Sequence, residues 1–180
     1  MAELALPDPC VVLLVGAAGA GKSTFAARHF PPTSILSSDA MREAIGGDAA
    51  DQSATRPAFA ALHRALERRL AAGRLTVVDA TNLTAGARRS IRRVASRHGL
   101  PAVAIVLDLP PADVHARNAA RPGRQVPATV VDRHLARLRA AVDGGELASE
   151  GYAAIVHIRG GRDADALVVR RIPSSAAGPP

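Results

Sequence analysis

Residues 10–24 decide the fold: Cys10-Val-Val-Leu-Leu-Val15, then Gly16-Ala17-Ala18-Gly19-Ala20-Gly21-Lys22-Ser23-Thr24. The first part is an unbroken apolar run of strand length, as in strands buried on both faces. The second matches the phosphate-binding P-loop pattern of a glycine, four residues, glycine, lysine and serine. Ser23 to Phe30 then reads as the start of a helix, so strand, loop and helix agree. Gly16, Gly19 and Gly21 let the backbone N–H groups through Ala20 and Lys22 close around a β-phosphate, while the helix beginning at Ser23 and Thr24 directs its positive end at the anion. Lys22 is placed to bridge β- and γ-phosphates, and Ser23 to offer a hydroxyl to Mg²⁺. The plainer alternative is a glycine-rich turn. Lys22 is also the only lysine, the other 22 basic side chains being arginine. A bias from lysine to arginine has spared the one position where a compact, flexible charge must reach between phosphates.

At 180 residues and 48% hydrophobic content, the chain has material for one substantial core. A single domain is expected over residues 1–173, with a flexible Pro-rich tail at 174–180. Aromatics are few, so the core must come from Val, Leu, Ile and Ala. The formal net charge of +7 suits a polyanionic partner. A coding bias toward G and C yields the same arginine richness, which lowers the weight of any single surface arginine. Cys10, the lone cysteine, excludes an internal disulfide and a cysteine-rich metal site, and reads as packing in a reducing compartment. With no leader pattern and no long apolar segment, a soluble cytoplasmic protein is expected, without a membrane.

Further apolar runs at 35–36, 75–78, 103–107 and 155–158 are strand-length, and the intervals between them mostly read as helices. Strands alternating with helices predict an α/β fold with a parallel sheet covered on both faces. The clearest helices are predicted over 56–71 and 85–97, the second capped by Thr84, with others over 111–120 and 128–142.

A P-loop fixes which phosphates are held; the acceptor must be sought elsewhere. Asp39 and Arg42, just after the second main run, share one helical face. Asp39 can take a proton from an attacking hydroxyl while Arg42 holds an anionic acceptor; equally, Asp39 can be a helix N-cap and Arg42 a surface residue. Leu75-Thr-Val-Val-Asp79 has the outline of a strand whose terminal acid holds Mg²⁺ through water, and Thr81 and Asn82 follow it; turn and cap roles serve as well. Arg117 and Arg121 share a face before the Pro-Gly-broken stretch 122–127, as a mobile lid would need to bring guanidinium groups onto a transferring phosphoryl. Chance supplies such pairs in so arginine-rich a chain. Arg88, Arg89, Arg92, Arg93 and Arg97 form a denser basic helix, read here as a solvated face in preference to a nucleic-acid surface. The six histidines lack metal-ligand spacing and read as surface or helix residues.

Together, the blocks GAAGAGKSTFAARHFPPTSILSSDAMR, DQSATR, LTVVDATN and RNAARPGRQVP resemble the 5′-hydroxyl polynucleotide kinase domain of bacterial RNA-repair polynucleotide kinase-phosphatases. The similarity spans about residues 10–158, and the order of the blocks makes it specific. It implies an adenylate-kinase-like P-loop phosphotransferase with a lid, moving the γ-phosphate of ATP or another NTP to the 5′-OH end of RNA or DNA with Mg²⁺. By motif, Lys22 and Ser23 would hold phosphate and metal, Asp39 would be the general base and Arg42 would contact the acceptor's phosphate. Arg117 and Arg121 would be lid arginines, and Gln52 and Thr81 would lie near the acceptor. Phosphatase and ligase modules accompany this domain in the family's longer members; here neither a Gly-Asn-His metal motif nor a second lysine occurs. The sequence also admits a small-molecule P-loop kinase acting on a sugar, antibiotic or nucleotide-sugar, and a non-catalytic ATP-binding module.

Overall fold

No residue of Val11–Gly16 has a side chain suited to water, and in the computed structural model the strand is buried at every position. The structure describes residues 3–46, 55–122 and 125–173. In chain order the elements are β1 (Glu3–Asp8), β2 (Val11–Gly16), α1 (Lys22–His29), a 3₁₀ turn (Pro32–Ser34), β3 (Ile35–Ser37), α2 (Ser38–Gly46), α3 (Thr55–Ala71), β4 (Thr76–Asp79) and α4 (Ala85–Arg97). There follow β5 (Ala102–Leu107), α5 (Pro111–Ala119), α6 (Ala128–Asp143), α7 (Glu146–Ser149), β6 (Ala154–Ile158), α8 (Gly161–Ala166) and β7 (Val168–Pro173).

The main sheet has the order β3-β4-β2-β5-β6, and every neighbouring pair is parallel. Alternate residues of its strands feed two separate cores, one on each face. Val12, Leu14, Val103 and Ile105 pack with Phe25 and Phe30 of α1 and its C-terminal cap, Val114 of α5 and Val131 of α6. Val11, Leu13, Ala104 and Val106 pack with Leu62, Leu66 and Leu70 of α3 and Ile91 and Val94 of α4. That double cover is why the strands are continuous apolar runs and not alternating ones.

Register brings the chemistry to one end. Asp79 lies beside Leu14 of β2 and Ser37 of β3, and Gly16 lies beside Leu107 of β5. The P-loop, Asp79 and the start of α2 therefore emerge together at the carboxyl ends of the strands, where successive strands depart to either side of β2 and a crevice opens.

Helix α4 starts and stops where its sequence predicts, with Thr84 Oγ1 accepting from Ala87 N–H. Two strands have no counterpart in the apolar runs of the sequence. β1 and β7 pair in parallel as a separate ribbon, Leu4 with Val169 and Leu6 with Arg171. Only Leu4 and Leu6 of β1 are buried, and they join the same core as β2. A six-residue alternation interrupted by Pro7 carries too little signal by itself, and the partner strand lies at the far end of the chain. Residues 174–180 fall outside the described residues. Among those described, no helix is long and apolar enough to cross a membrane.

Candidate active site

The glycines of the P-loop are demanded by two constraints at once. Gly19 has φ +85, and a Cβ there would lie 2.8 Å from Val114 O and 3.0 Å from Asn118 Cβ on α5. Gly21, the residue before α1, has φ +88, and its absent Cβ would lie 3.2 Å from Arg117 Nη1. Only glycine takes this left-handed backbone freely, and only a bare backbone leaves α5 room to lie against the loop. Gly16 N–H donates to Thr81 O at 3.0 Å, which ties the loop to the end of β4.

Lys22 is buried, and its Nζ donates to Gly16 O (3.1 Å) and Ala17 O (2.7 Å). Burial pushes its pKa down to about 8; Asp79 and Asp39 oppose the shift and Arg121 adds to it. The sign has two consequences. Between pH 8 and the ordinary value of 10.5 the unfolded chain holds more protons on this group than the folded one, so stability rises with pH across that window. A phosphate anion, conversely, selects the protonated amine. Nucleoside triphosphate binding at about pH 9 should take up a proton at Lys22, and affinity should fall by up to about tenfold per pH unit above about 8. Isothermal titration in buffers of different ionisation heat measures that uptake; binding without proton uptake would mean that Lys22 is already charged throughout.

Asp79 closes β4, is 6% exposed and lies near the Ser23 hydroxyl. Burial raises its pKa, against the neighbouring Ser23 hydroxyl and the charge of Lys22. A hydroxyl and a carboxylate side by side are the hard oxygen donors that Mg²⁺ takes when phosphates and waters supply the rest of its shell. Among the described residues no cluster of three or more His, Cys, Asp or Glu could hold a metal alone, so a metal here would need the nucleotide's oxygens.

At the start of α2 the cap is Ser37, whose Oγ accepts from Ala40 N–H. Asp39 is thus released from capping. Its carboxylate pairs with Arg42 one helical turn along and lies 3.9 Å from Arg121 Nη2, yet stays 35% exposed. Arg117 and Arg121 stand at the end of α5 and just beyond it. Asn118 between them is buried, donating to Val126 O (2.7 Å) and accepting from Val126 N–H (3.1 Å). Those two bonds fasten Val126 back onto α5.

A cavity of about 820 Å³ gathers Gly19 to Thr24, Asp39, Arg42, Asp79, Thr81, Arg117 and Arg121. Gly16 does not line it and meets the site through its backbone, which accepts from Lys22 Nζ and donates to Thr81 O. Gln52 lies outside the described residues.

Two residues depart from the sequence reading. Arg88 is fully buried, not solvated: it donates to Glu150 (3.0 and 2.6 Å), Glu146 (2.6 Å) and Asn82 O (3.1 Å). Asn82 sits at φ 49 and donates Nδ2–H to Leu14 O at 2.8 Å. The ion cluster thereby braces the loop after Asp79 against β2. Arg92 and Arg97 of the same helix also find acids, Glu150 and Glu67. His134, which the sequence presents as an ordinary helix residue, lines the cavity, and its Nδ1 accepts from Ala18 N–H of the P-loop at 3.3 Å. Burial, then the charges of Lys22, Arg133 and Arg137, lower its pKa and keep it the neutral acceptor that this bond requires. No spacing rule singles out one histidine among six, since its partner is 116 residues away.

A family model described as an AAA domain (AAA_33) matches residues 11–144. No curated protein matches the chain. Among solved structures, a chain of the Pnkp1/Rnl/Hen1 RNA repair complex is similar with TM-score 0.65 and 20% identity, over 77% of this chain and 47% of that one. The APS kinase CysC of Mycobacterium tuberculosis, solved with AMPPNP and APS, has TM-score 0.54 and 18% identity, over 89% of this chain and 94% of that one. A gluconokinase from Sinorhizobium meliloti 1021 has TM-score 0.53 and 20% identity, over 88% and 91%. At these identities the likeness is one of fold.

Proposed function

The chain belongs to the AAA_33 family of AAA domains, and on that footing we propose that it is a polynucleotide 5′-hydroxyl kinase, taking the γ-phosphate of ATP or another NTP to the 5′-OH end of RNA or DNA. The P-loop kinase fold and its nucleotide-binding loop are the firm ground. The observation that carries the finer reading is Asp39, partly exposed between Arg42 and Arg121 in the cavity that also holds Lys22. Nucleotide binding alone has no use for a carboxylate there.

In this reading Lys22 and the loop amides hold the β- and γ-phosphates. The 5′-hydroxyl oxygen attacks the γ-phosphorus and gives its proton to Asp39, while the bond from that phosphorus to the β,γ-bridging oxygen breaks and NDP leaves. Arg42 draws in the acceptor's nearest phosphate, and Arg117 and Arg121 offset charge on the moving phosphoryl group. Ser23 and Asp79 would hold Mg²⁺, whose contribution is to neutralise phosphate charge.

A small-molecule kinase is the second reading, favoured by one observation: the APS kinase and gluconokinase structures are covered nearly end to end, and the RNA-repair chain by about half. Transfer of labelled γ-phosphate separates the two. We expect label on a 5′-OH oligonucleotide and none on its 5′-phosphorylated twin, with activity falling as salt rises because phosphate contacts dominate. Label on a sugar or nucleotide-sugar, with both strands blank, would select the second reading.

A further inference from the structure

The chain has three phenylalanines, one tyrosine and no tryptophan, so each ring's position is informative. Phe30 and Phe25 are each 3% exposed in the same core cluster, and Phe25, which also lines the cavity, packs on His29 with ring centroids 4.4 Å apart. Tyr152 lies under the guanidinium of Arg92, 5.3 Å away. Phe59 differs from the two buried phenylalanines in its exposure, and from Tyr152, which is also half-buried, in lining the cavity. It is only half-buried, and it packs against the core cluster that holds Leu36, Leu62 and Val78, as Met41 does. It also lines the cavity beside Asp39 and Arg42. Helix α3, which carries it, packs on α2, which carries both of those residues. A chain that builds almost all of its core from Val, Leu, Ile and Ala therefore keeps one half-buried aromatic side chain in the lining of the cavity that holds Asp39 and Arg42.

An aromatic ring there has a chemical use that leucine would not have. Every nucleobase presents a π-face, and stacking on a ring holds a base without reading its identity. Resting on the reading that the acceptor is a polynucleotide 5′ end, we infer that Phe59 is the platform on which the terminal base of the acceptor strand stacks, setting its 5′-hydroxyl against Asp39. Arg42 holds the backbone by charge, and Phe59 holds the base by contact. The two together select a nucleoside-bearing acceptor over a sugar or a small acid.

The experiment compares two short 5′-OH strands that differ only in the first nucleotide, which carries a base in one and is abasic in the other. With the wild-type chain, kcat/KM for the base-bearing strand should exceed that for the abasic strand by roughly tenfold, mostly in KM. Phe59→Leu should bring the two strands to parity while ATP affinity stays put, and Phe59→Trp should keep or widen the gap. A role in packing alone would lower activity on both strands equally. If the wild type treats the strands alike, or Phe59→Leu preserves the gap, the stack is overturned and the polynucleotide reading stands. The wild-type comparison needs no variant, so a misfolded Phe59→Leu protein cannot shelter the proposal. Should the wild type phosphorylate neither strand, the polynucleotide reading fails and the stack falls with it.

Discussion

An Asp39→Asn protein is expected to bind ATP as the wild type does and to lose phosphoryl transfer by about 10²- to 10⁴-fold, the usual contribution of a positioned general base. Asparagine keeps the size and a hydrogen-bonding oxygen for Arg42 but has no affinity for the hydroxyl proton. Asp39 sits at the first turn of α2, capped by Ser37, and packs no core, so the fold should not register the change. It does help hold the proton on Lys22; binding is therefore best measured near neutral pH, where Lys22 is charged in both proteins. Single-turnover transfer beside fluorescence-detected ATP binding checks both halves. Full transfer activity in the Asp39→Asn protein would move the base elsewhere. Normal ATP binding in both proteins, with transfer to no acceptor by either, would favour a non-catalytic module.

Arg88→Ala should cost about 3–5 kcal/mol of stability, because it leaves the buried Glu150 carboxylate without the charge that justified burying it. Arg88 is 0% exposed and Glu150 is 8% exposed at its side chain. Burial opposes the charge on Arg88, and the hydrogen bonds and charges of Glu150 and Glu146 outweigh it. For a chain of this size the loss is a fall in Tm of about 6–20 °C. Arg89→Ala, one residue on and exposed, should stay within about 0.5 kcal/mol of wild type. Thermal unfolding of the two variants side by side is the measurement. Equal midpoints would show that water reaches the Arg88 cluster.

That pair of arginines marks the limit of reading a helix from its own residues. The spacing of Arg88, Arg89, Arg92 and Arg93 describes one basic helix, and nothing local says which side will face α7. The acids that turn Arg88 inward come from Glu146 and Glu150, 58 and 62 residues later. The P-loop was legible for the opposite reason. Its glycines, lysine and serine are adjacent, their geometry depends on local backbone freedom, and the apolar run before them needs no partner to be recognised. Asp39 was half legible: its place after a strand was visible, but only the bond from Ala40 N–H to Ser37 Oγ removes capping as its occupation.

Contiguous residues alone specify the alternating strand-and-helix plan, the phosphate loop and the strand ends at which an acid and arginines gather. Local pattern suffices for these, since a buried parallel strand must be apolar throughout and a loop around phosphate must be rich in glycine. Four features instead come from the folded chain: the pairing of β1 with β7, the burial of Arg88, the contact of His134 with the P-loop and the placing of Phe59 beside Asp39 and Arg42. Each depends on surfaces that meet only after the chain has crossed the sheet, where the energy lies in what a side chain touches and not in which residues stand next to it.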